Sequence, residues 1–120
     1  MISIIECADY LASFDPRGWS EKALKIATQA LELKNKTLLV CKDDGEEVGF
    51  AAFLETDEVF LLSLATKRPG YGRRLIERLK QRNKPIWCGS EPESEGFYRR
   101  LGFIEDGKHD GFTRFKLHLP

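Results

Sequence analysis

Two apolar runs, Thr37 to Cys41 and Val48 to Leu54, face each other across Asp44-Gly45, and a third, Val59 to Ala65, follows after a short polar break. An Asp-Gly pair between apolar runs is among the strongest local signals for a β-hairpin, because both residues tolerate the positive φ that a tight two-residue turn demands. The third run, within "EVFLLSLA", has too little polar alternation to keep one face in water, so it reads as a central strand buried on both sides. Such a chain must organise itself around a sheet whose N-terminal half is antiparallel.

The flanking segments add helices to that sheet. "ISII" near the start is β-branched and apolar, and "DPRGWS" turns the chain toward a helix. In that helix Ala23, Ile26, Ala27, Ala30 and Leu31 recur at spacings of three and four, Ser20 is placed to cap it, and Trp19 packs at its start as core. A second helix is expected from Tyr71 to Arg82, ended by Asn83 and Pro85; "PIWCG" is a short strand, "SEGFYRRLGF" a short helix closed by glycine, and "FTRFKLHL" an alternating final strand. The expected fold is mixed α/β (α+β), one domain over residues 1–120, with a mostly antiparallel sheet flanked by helices and no repeats or linkers.

Composition narrows the function. With 42% apolar and 32% charged residues in 120, there is material for one core. No uncharged apolar run is long enough to cross a bilayer, and the N-terminus lacks the basic start of a secretory signal, so a cytoplasmic protein with no membrane partner is expected. Cys7, Cys41 and Cys88 form no C-x-x-C pair and read as reduced and buried; His109 and His118 have no ligands at metal spacing, so no metal is expected.

The net charge is zero, but the charges are segregated. Asp43, Asp44, Glu46, Glu47, Glu55, Asp57 and Glu58 occur with no intervening base, whereas Lys67 to Lys84 carries many bases against Glu77 alone. Most of these charges suit solvated faces; an anionic ligand beside the basic block and a cationic one beside the acidic block are the functional alternative. Within the basic block, "KRPGYGRRL" follows the central strand and opens a helix. Gly70 and Gly72 allow close approach to unpaired N–H groups at the positive end of the helix dipole, the arrangement of a phosphate cradle. The sequence fits neither G-x-x-x-x-G-K-[ST] nor G-x-G-x-x-G, Leu75 standing where the latter needs a third glycine. Two glycines in a turn before a helix describe the same stretch without any ligand.

Two motifs in order decide between these. Lys67-Arg68-Pro69-Gly70-Tyr71-Gly72 resembles the [Q/R]-x-x-G-x-[G/A] motif of the GCN5-related N-acetyltransferase (GNAT) superfamily, and Phe97-Tyr98-Arg99-Arg100-Leu101-Gly102-Phe103 resembles its F-Y-x-x-L-G-F signature. One helix and one strand separate them, as in the family, and the resemblance covers roughly Val48 to Leu119. Lys67 replaces the usual Gln or Arg, "SEPES" replaces a frequent asparagine, and the N-terminal half is short.

The resemblance implies a GNAT fold with splayed central strands and an acetyl-CoA-dependent N-acetyltransferase acting on a primary amine, small or on a protein. It implies that Leu62, Leu64, Ala65 and their neighbours bind the pantetheine arm through their backbones. Gly70, Tyr71, Gly72, Arg73 and Arg74 would hold the pyrophosphate, with Lys67 or Arg68 reaching the ribose phosphate. Tyr71 either packs or lies over the cofactor. Tyr98 matches the acid that protonates the leaving thiolate, and Glu58 the candidate base, sharing a strand face with Phe60, Leu62 and Leu64 by alternation; Glu55 and Glu91 are its substitutes. Glu58 also reads as a solvated carboxylate at a strand entrance. Trp87 and Cys88 are expected in the core. The acidic block favours a cationic acceptor, and a homodimer is compatible with the fold. The competing functions are a silent acyl-CoA-binding or interaction domain and a nucleic-acid-binding helix carrying Arg73, Arg74, Arg78 and Arg82, the latter opposed by zero net charge.

Overall fold

The computed structural model describes residues 1–8 and 15–118; Leu119, at the end of the expected closing strand, lies outside them. The chain runs β1 (Ile2–Cys7), α1 (Glu21–Glu32), β2 (Thr37–Asp43), β3 (Glu46–Glu55), β4 (Val59–Thr66), α2 (Tyr71–Lys80), β5 (Ile86–Ser90), a 3₁₀ turn (Pro92–Ser94), α3 (Glu95–Arg100), β6 (Ile104–His109) and β7 (Phe112–Leu117). These strands form one seven-stranded sheet in the order β1-β2-β3-β4-β5-β7-β6, antiparallel except where β4 meets β5. β4 is the middle strand, as its apolar run demands.

Local chemistry sets the elements. Asp44 and Gly45 both take positive φ, 51° and 85°, and join β2 to β3. Ser20 caps α1 by accepting the Ala23 N–H at 3.1 Å, and Trp19 stacks on Phe50 with 6.0 Å between ring centroids. That stack begins the smaller core layer, in which Ala27 and Ala30 of α1 cover Leu38, Val40 and Ala52. The larger layer lies on the opposite face, where Leu75, Ile76 and Leu79 of α2 and Tyr98 of α3 pack against Cys41, Phe53, Val59, Leu61 and Phe115. Burying this apolar surface is the main stabilising term, at about 25 cal/mol per Å².

β4 departs from simple alternation. Leu61 pairs with Phe53 and Ser63 with Ala52, so Leu62 is an extra residue opposite β3. Before this bulge Val59 and Leu61 face α2; after it Leu64 faces α2 while Ser63, whose hydroxyl donates to Ile26 O, and Ala65 face α1. The expectation that Glu58 shares a face with Phe60, Leu62 and Leu64 therefore fails at Leu64, since a one-residue bulge reverses everything beyond it. Cys7 is also only half buried, unlike Cys41 and Cys88.

Candidate active site

β4 and β5 pair in parallel only through Val59–Ile86, Phe60–Trp87 and Leu61–Cys88. Beyond Leu61 the strands separate, and β5 turns instead to β7 along its other edge. Among the described residues the β5-facing edge of Leu62 to Thr66 thus has no strand partner, which leaves a slot with backbone N–H and C=O groups along one wall. A cavity of about 280 Å³ fills the separation, bounded by Ile26 of α1, Leu62 to Leu64, Gly89, Ser94 and Tyr98.

The slot leads to the N-terminus of α2. Gly70 precedes the helix at φ 101°, supplies no side-chain cap, and has open space where a Cβ would stand. The first-turn N–H groups of α2 point outward with the positive end of the helix dipole. Gly72 has another purpose: a Cβ there would stand 3.1 Å from Phe97 Cζ, so its lack of a side chain lets α3 close on α2. Between these helices lies a cavity of about 460 Å³ lined by Gly70, Arg73, Lys80, Phe97 and Arg100, with Glu77 on its wall. Arg100 was missed from sequence. It sits inside the F-Y-x-x-L-G-F motif, and the helical spacing from Phe97 is the signal that would have found it.

The remaining basic residues of the stretch are differently placed. Lys67 Nζ lies 2.6 Å from Glu46 Oε2, and Arg68 is 3.4 Å from the same oxygen. Tyr71 is buried, donates to Asp43 Oδ2 at 2.5 Å and accepts from Arg68 at 3.1 Å, so it packs. Arg74 is exposed on a flank from which its charge reaches the Cys41 thiol.

Tyr98 is 6% exposed and wedged among Phe97, Phe103 and Phe115, with centroid distances of 5.1, 5.3 and 5.9 Å. Burial first, then the neighbouring Cys88, pushes its phenol above the ordinary tyrosine range. It keeps its proton at neutral pH. Burial likewise pushes the Cys88 thiol up to about 12, against a smaller downward effect of its hydrogen bond with Tyr98.

A protein-family model described as an acetyltransferase (GNAT) domain matches residues 10–117. The chain belongs to the GNAT acetyltransferase family. Solved structures share the GNAT fold across the whole chain. A GNAT-family protein from Desulfovibrio desulfuricans has 12% identity and a TM-score of 0.70, covering 100% of both chains. The ribosomal-protein-S18-alanine N-acetyltransferase of Escherichia coli has 21% identity and a TM-score of 0.66, covering 99% of this chain and 94% of that one. A GNAT acetyltransferase of Elizabethkingia anophelis, solved with acetyl-CoA bound, has 17% identity and a TM-score of 0.65, covering 98% of each chain. No curated protein matches by sequence.

In this GNAT domain Glu58 stands just before β4, where its carboxylate accepts from Trp87 Nε1 and lies 3.7 Å from Lys116 Nζ. Trp87 walls a third cavity, of about 500 Å³, which opens on the α1 side of the sheet and touches the slot at Leu61, Leu62, Gly89 and Phe112. The other two candidate bases are already paired, Glu91 on the lining of the slot itself. Glu55 is held below the usual carboxylate range by Arg82, then Lys84, and Glu91 pairs with Lys22 at 2.8 Å.

The charge blocks do not survive folding as blocks. Glu46 holds Lys67, Asp44 holds the N-terminal amine, Glu55 holds Arg82, and Arg73 lies 3.9 Å from Glu77. The GNAT fold uses most of the acidic run internally, contrary to a cationic acceptor site built from it. Arg82, expected on an open basic helix, is instead folded over the Phe53 ring at 4.6 Å.

Proposed function

We propose that this GNAT domain transfers an acetyl group from acetyl-CoA to a primary amine. The observation that carries the reading is the loss of β4–β5 pairing after Leu61–Cys88, with the freed edge leading directly to Gly70 and the α2 N-terminus. An extended pantetheine arm with two amides fits such an edge, and a pyrophosphate fits the open space at Gly70.

In this reading the backbones of Leu62, Leu64 and Ala65 hold the arm. Gly70, Tyr71, Gly72, Arg73 and Arg74 present N–H groups to the pyrophosphate, Arg73 and Arg100 add charge, and Lys67 and Arg68 act by leaving Glu46 for the ribose phosphate. When bound, acetyl-CoA supplies the activated thioester. The amine nitrogen forms a bond to the acetyl carbon as the carbon–sulfur bond breaks; the amine loses a proton and the sulfur gains one. Tyr98 holds the proton for sulfur, and Glu58 receives the amine proton through water along the Trp87 edge. Excluding water from the slot preserves the thioester for the amine.

Calorimetric titration with acetyl-CoA, free CoA and ATP tests the reading. Binding of both CoA forms and weak binding of ATP is expected; no CoA binding sinks it. A second reading, an acyl-CoA-binding domain without turnover, is favoured by the engagement of Glu58 with Trp87 and Lys116. Acetyl-CoA binding without acetylation of any amine in a broad panel would select it.

A further inference from the structure

The cavity of about 500 Å³ on the α1 side of the sheet is chemically unlike the other two. Its walls are Phe60, Leu62, Trp87 and Phe112, and its titratable lining residues are Arg114, His109 and the Cys88 thiol; among the described residues no carboxylate lines it. Phe60, Leu62 and Phe112 are 38%, 45% and 48% exposed, a cluster of apolar surface that water contacts. Gly89, opposite Arg114 in the β5–β7 register, leaves an open floor because nothing lies within 4 Å of its missing side chain.

Arg114 lines the same cavity. Its guanidinium carbon lies 5.3 Å from the Trp87 ring centroid, its Nε donates to Asp106 O at 2.9 Å, and its Nη2 is 3.8 Å from Asp106 Oδ2. The backbone bond and the indole orient the group, while the carboxylate contact, being exposed and beyond hydrogen-bond distance, is easily displaced. Lys116, on the same strand and 4.3 Å from the same ring, is already matched by Glu58.

We propose that this cavity receives the acceptor, and that the acceptor is a small amine with an aromatic or branched apolar body and a carboxylate, an apolar amino acid being the simplest case. The inference rests on the acetyltransferase reading. Apolar walls take the body, Arg114 takes the carboxylate as a charge-assisted, planar partner, and the amine is left toward Leu61 and Gly89, where the cavity meets the slot. A polyamine or a lysine side chain would bring positive charge against Arg114 and find no acid on the described lining.

The test compares initial rates with acetyl-CoA for phenylalanine, phenethylamine, spermidine and a short peptide with a free N-terminus, using wild type and Arg114→Gln. Phenylalanine is expected to exceed phenethylamine in kcat/KM by about tenfold, one charge-assisted hydrogen bond's worth. Arg114→Gln should collapse that ratio. A ratio near one, a preference for spermidine or the peptide, or a ratio unmoved by Arg114→Gln overturns the inference while leaving acetyl transfer intact.

A second measurement reads the cavity without turnover. In a Trp19→Phe background, Trp87 fluorescence is titrated with N-acetylphenylalanine and with N-phenethylacetamide, which lacks the carboxylate. Tighter binding of the former, lost in Arg114→Gln, supports the proposal even in a protein that acetylates nothing; equal or absent binding overturns it. A dimer that covers the cavity, seen by sedimentation and broken by Phe112→Asp, overturns it as well.

Discussion

Tyr98 and Cys88 are buried neighbours in the larger core layer, and they link two cavities: Tyr98 lines the slot between β4 and β5, Cys88 the apolar cavity on the α1 side. Burial raises the cost of ionising either group, and Cys88 adds to that cost at Tyr98. A proton held here is held firmly.

Tyr98→Phe keeps the ring among Phe97, Phe103 and Phe115 and removes only the hydroxyl. Acetyl transfer is expected to slow by about a hundredfold, within the usual range for a general acid, with acetyl-CoA affinity retained. Steady-state rates beside calorimetry check this. Undiminished turnover would remove Tyr98 from the chemistry.

Cys88 should be a poor nucleophile despite lining a cavity. With its thiol pushed up to about 12 by burial, it is protonated at pH 8, and the half-buried Cys7 should be alkylated first by iodoacetamide. Mass spectrometry of the digested protein over time gives the order. Labelling of Cys88 at the rate of Cys7 would contradict the environment described.

Gly70 and Gly72 should fail differently when substituted. Gly70→Ala meets no neighbour but forces a side chain to φ 101°, costing about 1–2 kcal/mol and displacing the N–H groups at the cradle. Acetyl-CoA binding should weaken more than stability. Gly72→Leu instead drives a side chain into Phe97 and should lower the melting temperature, the overpacking costing about 1–3 kcal/mol. Melting curves with and without acetyl-CoA separate the two; equal effects of both substitutions on both readouts would refute the division.

Acid should expose the Glu55 cluster. Arg82 donates to Glu55 at 2.9 Å and Lys84 stands 3.0 Å away, holding its carboxyl below the ordinary 4.5. A lowered folded value means stabilisation that is complete above the unfolded value and disappears as pH falls through the folded one. The melting-temperature gap between wild type and Glu55→Gln should therefore be full at pH 7 and shrink as pH falls below the ordinary 4.5. A gap constant into acid would assign the effect of the substitution to something other than charge.

Most strands and helices were legible because their signals are local; β6, IEDGKH and exposed throughout, was not named from the sequence because it carries no apolar run. Asp44-Gly45 announced the hairpin, the apolar run of β4 its central position, and Ser20 the start of α1. The Leu62 bulge was not, since it arises from the pairing of β4 with β3, and alternation read along one strand carries no trace of it. The site divides likewise. Gly70 and Tyr98 were read from motifs that describe backbone shape. The bonds from Lys67 and Arg68 to Glu46 span the hairpin and follow only from the fold. The lining of the large apolar cavity, drawn from β4, β5 and the β6–β7 hairpin, is dispersed in sequence and resembles ordinary strand residues there.

Most sheets hide their unsatisfied edges at the rim, but this one keeps an edge in its interior, where β4 parts from β5. In hydrogen-bonding terms the sheet is one short strand from complete among the described residues. Any extended molecule that completes it is a structural component for as long as it stays, and by mass action adds to the stability of the fold. If an acyl-CoA fills the gap as proposed, the melting temperature becomes a property of the protein's surroundings as well as its sequence, rising and falling with the supply of that ligand.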